Sequence, residues 1–308
     1  MILYLAGNGG AERNGPVAHK LMAMRLLFPT LLSYHHFNVP ILNLYLAGAD
    51  NTHWIKALNE STARSVLASY FSIKEQNSNP GNFFAHKINA PNLFIDSGAY
   101  SAWRKQIVID IDEYCDFLHK YQDKITIYAG LDVIGDSDMT MKHQRYMEDK
   151  GLKPIPTFHH GSDFGLLREI VKEYPYIALG NMVPLSRDKP QLAEWLDQVF
   201  SIIGPGIKVH GFGMTNPGFI LRYPFYSVDS TTWLGGSMRA EVHTFQGAKG
   251  MKVTYSKMEN KATLDSIKLT DDGGQKRWFQ RVTNNAIEWQ KFGDFATRVW
   301  EERGIIWK

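Results

Sequence analysis

Short apolar runs recur along the chain, and most end in glycine or a polar residue before an amphipathic stretch. The runs Ile2–Ala6, Ile41–Ala47, Leu93–Ile95, Ile125–Leu131, Pro154–Phe158, Tyr176–Leu179, Ile207–His210 and Phe225–Val228 show little alternation of apolar and polar positions. Near-continuous apolar runs of this length suit strands buried on both faces of a parallel sheet. Between them the apolar positions take helical spacing. Asp110 can cap a helix whose inner face is Ile111, Tyr114, Cys115 and Leu118, an i, i+3, i+4, i+7 pattern. Leu192, Trp195, Leu196, Val199 and Ile203 form a second stripe. Pro16, tolerated in a first helical turn, precedes a third at Val17, Leu21, Met24 and Phe28. A last helix carries Trp278, Val282, Trp289, Phe292, Phe295 and Val299 and is expected to pack back on the sheet.

Eight such strand–helix units predict an α/β fold, a closed (β/α)8 TIM barrel, with a doubly wound open sheet as the alternative. We expect a single domain over residues 1–308, with a core over 1–235. An insertion after strand 8 and a C-terminal helical region follow over 236–308. The stretch from Ser230 to Gly274, rich in Gly, Lys, Ser and Thr, resists assignment from its pattern and is taken as that insertion. Asn77–Asn82 reads as a surface loop. The tetrapeptide Tyr-Leu-Ala-Gly occurs at Tyr4–Gly7 and again at Tyr45–Gly48, which marks two similar strand ends and no repeat array.

Composition narrows the class. With 44% hydrophobic and 21% charged residues in 308, the chain is globular and neither disordered nor a disulfide scaffold. No apolar run reaches membrane-spanning length and the first residues lack a leader pattern, so a soluble, cytoplasmic protein is expected. The one cysteine, Cys115, excludes an intrachain disulfide and a cysteine-rich metal site. His35-His36 and His159-His160 are adjacent pairs whose members point to opposite faces of a strand, so no metal is expected from them. A net charge of +3 permits a nucleic-acid partner without requiring one.

The chemistry gathers where strands end, and in a barrel those ends form one mouth. The third strand leads into Asp96, the fourth into Asp132, and the fifth into His159 and His160. The sixth leads into Gly180 and Asn181, the seventh into Gly211-Phe212-Gly213, and the eighth into Asp229. Each aspartate alone reads more readily as a helix cap than as a reactive group. Three together, each in apolar surroundings, suggest a reactive centre. Two carboxylates, one a nucleophile and one an acid/base, are the minimum for displacement at a glycosidic carbon. Gly98 permits close backbone approach, and Tyr100 offers a flat face beside Asp96 or else fills the core. Gly7-Asn8-Gly9-Gly10 reads as a loop or a phosphate cradle. From Lys249 to Lys308 there are 12 Lys and Arg against 8 Asp and Glu. With Trp278, Phe279 and Trp289 nearby, that is either a nucleic-acid track or a solvated face with core aromatics.

From about residue 90 to 235 these segments, in order, resemble the queuine/archaeosine tRNA-guanine transglycosylases. They resemble more closely the phage-type relatives that insert 7-deazaguanines into DNA. Asp96-Ser97-Gly98-Ala99-Tyr100 is similar to the family's aspartate-serine-glycine-glycine-aromatic motif. The family's fourth-strand aspartate falls on Asp132, and its glutamine-glycine-glycine on His159-His160-Gly161. Its glycine-rich sixth strand falls near Gly180, its Gly-x-Gly-Thr turn on Gly211–Thr215, and its nucleophilic aspartate on Asp229. The departures are a missing Cys/His zinc cluster, no separate RNA-binding domain, histidines in the glutamine region, and His210 where a stacking residue is expected.

The resemblance implies a base-exchange transglycosylase working without a cofactor. Asp229 would be the nucleophile and Asp96 the acid/base. Ser97, Gly98, Tyr100, Asp132, His159, His160, Gly180, Asn181, His210, Gly211 and Gly213 would line the base pocket. The implied reaction replaces guanine in a nucleic acid with a 7-deazaguanine such as the nitrile-bearing preQ0. With both tRNA-engaging elements missing, DNA is the expected acceptor and tRNA the alternative, with Lys276, Arg277 and Arg281 on the phosphates. A nucleoside or glycoside hydrolase using the same carboxylates, and a nucleic-acid-binding barrel without chemistry, remain the other readings.

Overall fold

The computed structural model describes residues 42–76, 81–204, 206–255 and 275–305, all within one compact unit spanning residues 40–308. Eight strands form one all-parallel sheet: β1 (Asn43–Ala47), β2 (Ser65–Ser69), β3 (Asn92–Asp96), β4 (Ile127–Tyr128), β5 (Thr157–His159), β6 (Tyr176–Gly180), β7 (Lys208–Gly211) and β8 (Ser227–Ser230). Their order, β4-β3-β2-β1-β8-β7-β6-β5, is that of a ring opened between β4 and β5. Across that opening Ala129 and Ile155 form a parallel bridge; Ile155 N donates to Tyr128 O at 3.0 Å and Gly130 N to Ile155 O at 3.2 Å. The curled sheet, with helices alternating between its strands, is consistent with a TIM-like fold.

Strand parity divides the apolar residues into two separate sets. Alternate side chains of a strand leave opposite faces. Tyr45, Leu67, Phe94, Ala129, Ile155 and Ala178, from successive strands, pack together inside the curl with Phe212. Their neighbours Leu46, Val66, Ile95, Phe158, Ile177, Val209 and Val228 face outward and join the helices in a much larger core. Burial on both faces is why these strands lack alternation. The helices form as their stripes require. Asp110 accepts from the backbone N–H of Asp112 and Glu113 at 2.8 and 3.1 Å, a cap that stabilises helix Ile111–Tyr121 by about 1 kcal/mol. Tyr114, Cys115, Phe117 and Leu118 are its buried face. Leu192, Trp195, Leu196 and Val199 are that of helix Lys189–Ile202.

The expected strand set needs correction. The strand at Ser65–Ser69 was not foreseen: Val66, Leu67 and Ala68 lie between serines and run without a glycine or proline into helix Tyr70–Gln76, so no boundary marks it. The expected first strand, Ile2–Ala6, lies outside the described residues, as do Gly7–Gly10, the Pro16 helix and His35-His36. The eight strands all fall between Asn43 and Ser230. Of the expected loop at Asn77–Asn82, the last two residues open a short helix, Gly81–Ala85, and the rest lies outside the described residues.

After β8 comes an antiparallel hairpin, β9 (Glu241–Phe245) and β10 (Met251–Tyr255). The helix Gln275–Glu302 ends the described chain and buries Val282, Ala286, Trp289, Phe292 and Ala296. Its polar residues stitch it down. Asn285 receives His243 N at 2.8 Å and donates to Trp233 O at 3.1 Å; Thr297 Oγ1 receives Leu42 N at 3.0 Å. Among the described residues no helix is long and apolar enough to cross a membrane.

Candidate active site

The three strand-end aspartates come together. Asp96 shares its strand face with Phe94, and Asp229 pairs in register with Tyr45, so both face the interior at the strands' C-terminal ends. Burial pushes the Asp96 carboxyl up to about 7, and the charges of Asp132 and Asp229 push the same way. The N–H groups of Gly98 and Ser97 oppose them without cancelling them. Like charges close enough to act on one another are the physical signature of a shared site.

None of the three is a helix cap. Asp96 Oδ2 takes Gly98 N–H at 3.2 Å, and Gly98 itself, left-handed at φ +79°, precedes helix Ala99–Arg104. A Cβ at Gly98 would collide with Ser69 Oγ and sit 2.6 Å from Phe71 Cβ, so the glycine is required on two counts. Beyond Asp132, the cap of helix Ser137–Asp149 is Asp136, which accepts from Met139 N at 2.9 Å. Asp229 reaches a different loop: Oδ1 accepts Gly213 N–H at 2.9 Å.

Each outer aspartate has a histidine. His159 Nε2 lies 3.2 Å from Asp132 Oδ2. Burial disfavours a charged His159, but the hydrogen bond and charge of Asp132 outweigh it, and its pKa is raised. Gly180 makes this possible, because a Cβ there would stand 2.6 Å from His159 Cδ2. Asp132 Oδ1 and Thr157 Oγ1 are buried without a hydrogen-bond partner, and such groups are rare unless a ligand or water completes them. His210 lies between Asp229 Oδ1, 3.3 Å from Nε2, and Ser227 Oγ, 2.6 Å from Nδ1. The serine, histidine and aspartate do not make a nucleophilic triad, since Ser227 is 0% exposed and its hydroxyl also meets Tyr176 OH at 2.6 Å.

Several expected pocket residues lie elsewhere. Ser97 is buried, with Oγ accepting from Ala99 N at 3.4 Å. His160 turns to the outer layer, 5.4 Å from the Trp195 ring. Gly211 also faces outward, where a Cβ would meet Phe225 and Met214. Asn181, left-handed at φ +57°, uses its amide on His160 O at 3.1 Å. His210 is wedged by Tyr45, Phe94 and Phe212 and cannot stack on a base. Tyr100 stands 44% exposed on the helix that follows Asp96, beside Trp103.

At the C-terminal helix, Arg281 Nε donates to Gly236 O at 2.7 Å, and the half-buried guanidinium is held below its usual pKa by burial and by Arg277. Arg277 is half-buried, and the Lys276 side chain lies outside the described residues. Trp278 packs edge-on to Trp54, and Trp289 Nε1 donates to His243 Nδ1 at 2.9 Å, so these aromatics serve the core.

Reading the sequence missed Thr157, Tyr176 and Ser227, whose period-2 positions on β5, β6 and β8 place them on the same strand faces as His159, Gly180 and Asp229. It also missed Asp50, just past β1, whose carboxyl burial pushes up against hydrogen bonds from backbone and from Gln76 and Ser72. A surface cleft of about 480 Å³ lined by Lys56, Asn59, His86 and Lys87 lies apart from these groups.

The chain matches no family model and no curated protein.

Proposed function

We propose that this protein is a base-exchange transglycosylase that replaces guanine in a nucleic acid with a 7-deazaguanine. The observation that carries the reading is the inequality of the paired carboxyls. Asp96 holds a proton up to about pH 7, while Asp229 has one oxygen tied and the other free of protein hydrogen bonds among the described residues. A proton donor and a nucleophile on one site are what a double displacement at a sugar carbon needs.

In the proposed reaction the target nucleotide leaves its stack, at a cost of a few kcal/mol, and its base enters the mouth. Asp229 Oδ2 bonds to C1′ as the C1′–N9 bond breaks, and the proton of Asp96 passes to the departing guanine. The incoming 7-deazaguanine returns a proton to Asp96 and displaces the ester from C1′. Two inversions retain the β configuration. The free Oδ1 of Asp132 suits the N1–H and 2-amino donors of guanine and repels the acceptor that adenine presents there. His159 fixes the other oxygen. One glycosidic bond replaces another, so the scheme needs no cofactor.

We propose DNA as the acceptor and preQ0 as the incoming base, both on the family resemblance. The test is incubation of the purified protein with radiolabelled guanine or preQ0 and, in separate reactions, duplex DNA, single-stranded DNA and tRNA. Label entering DNA supports the full proposal. Label entering only tRNA keeps the chemistry and overturns the acceptor. Abasic sites without incorporation assign the carboxylates to a hydrolase, and no reaction with any substrate overturns the proposal.

A further inference from the structure

His210 is a fully buried imidazole on β7 with both ring nitrogens engaged. Nε2 faces Asp229 Oδ1 at 3.3 Å, and Nδ1 faces Ser227 Oγ at 2.6 Å. Beyond Ser227, at 2.6 Å, is Tyr176 OH. Burial and the neighbouring Tyr45 hold the Tyr176 pKa well above its ordinary value, so the phenol keeps its proton and is a donor. An ionised Asp229 only accepts, so Nε2 carries a ring proton, and in the Nε2–H tautomer Nδ1 accepts from Ser227. Hydrogen bonds then run one way along the inside of the curl: Tyr176 to Ser227, Ser227 to His210, His210 to Asp229. The strands impose this. Ser227 and Asp229 are two apart on β8, and His210 pairs in register with Ser227.

Both hydrogen bonds received by Asp229 land on Oδ1, one from Gly213 N–H and one from His210. Among the described residues none lands on Oδ2. Phe94, Tyr45 and Phe212 surround the His210 ring at centroid distances of 4.7, 6.0 and 4.6 Å and leave it no room to turn. We infer that His210, oriented by Ser227 and Tyr176, is the positioning residue that clamps Oδ1 of Asp229 and so selects Oδ2 as the single attacking oxygen. The inference rests on the transglycosylase reading for the word "attacking"; the clamp itself does not. Its partners are a fixed tautomer and a fixed carboxylate plane, and such outer contacts typically change rates by about 10- to 100-fold when lost.

Two kinds of measurement separate the clamp from the chemistry. In ¹⁵N-histidine NMR of the whole protein, His210 is expected with its proton on Nε2, facing Asp229. Its resonances should move in Asp229→Asn and Ser227→Ala. A Nδ1–H tautomer, or signals indifferent to Asp229→Asn, overturns the inference whether or not the protein has the proposed activity. In base exchange, His210→Phe retains the packing and loses both hydrogen bonds. It should lower kcat by ~30-fold with the base KM little changed. His210→Gln keeps an amide N–H near the Nε2 position and should recover most of that loss. His210→Asn reaches only toward Ser227 and should not. Equal rates for His210→Phe and wild type, in a protein of wild-type melting temperature, overturn the positioning role while leaving the exchange reaction intact. Absence of exchange in wild type removes the proposed function and leaves the clamp to be judged by NMR.

Discussion

The two ends of this curled sheet are built from the same strands and differ in how their polar groups are used. Where the strands begin, hydrogen bonds close on one another. Leu42 N meets Thr297 Oγ1, Arg64 N meets Gln290 Oε1, Gln290 Nε2 meets Ser61 O, and Leu93 N meets Thr126 Oγ1, all within 3.0–3.2 Å. Where the strands end, Asp96 carries a raised pKa, Asp132 Oδ1 and Thr157 Oγ1 have no partner, and Gly98 and Gly213 adopt left-handed backbone. The first end spends its polar atoms on stability. The second withholds some of them, which costs stability and leaves groups able to meet a substrate.

Substitutions can test that division, and the largest effect belongs to Asp229. Asp229→Ala should reduce base exchange by ~10⁴-fold or more, several kcal/mol of barrier, because in the proposed reaction it removes the nucleophile. It should also abolish a denaturation-resistant protein–nucleic acid adduct on gels. Normal turnover by a folded Asp229→Ala protein would remove the residue from the mechanism.

Gly98→Ala is the exception within the mouth, since there the backbone itself is specialised. The clash with Phe71 and the positive φ together should destabilise the protein by about 3 kcal/mol, read from urea midpoints. A neutral result would show that this turn relaxes freely.

Asp96→Asn should separate the two properties in opposite directions. The carboxyl binds its proton up to about pH 7 when folded, against an ordinary 3.8, so the folded state holds more protons between those values. Stability therefore falls as pH rises from about 4 to about 7 and is level above. Removing the buried charge should raise stability at pH 8 by roughly 2–4 kcal/mol in thermal or urea melts while exchange collapses. In wild type the limb of kcat that needs the proton on Asp96 should fall as pH rises through about 7. Asp132→Asn should move that limb to lower pH, because one of the charges that raises Asp96 is gone.

The smallest effect is expected at the other end. Thr297→Val leaves Leu42 N–H without its acceptor and should cost about 1–2 kcal/mol in stability, with exchange kinetics unchanged. A loss of activity there, with the fold intact, would show that the two ends are not independent.

Much of the scaffold was legible before the structure. Asp110 announced its helix because a side-chain cap needs only residues two and three places on. The stripes at Tyr114–Leu118 and Leu192–Val199 were visible because helical burial repeats within a few residues. β2 was hidden because Ser65–Ser69 continues without a break into the next helix. Arg281 was expected on a phosphate backbone, and nothing local in Lys276-Arg277-Trp278 indicates that Gly236, far away in the chain, would accept from its Nε.

The sequence by itself determined that strands and helices alternate, and that Asp96, His159 and Asp229 stand at strand ends; Asp132, expected at one, lies in the loop four residues beyond β4. Both follow from local periodicity and from the polar residue that stops each apolar run. Only the tertiary structure decided what those residues do to one another. It raised the Asp96 pKa by burying the carboxyl and by bringing two distant carboxylates near it, and it turned His159 inward and His160 outward. It also converted His210 from a candidate surface for a base into a buried partner of Asp229. Charge interaction and hydrogen bonding act through space over a few ångströms, and residues 96, 132, 210 and 229 become neighbours only when the sheet curls.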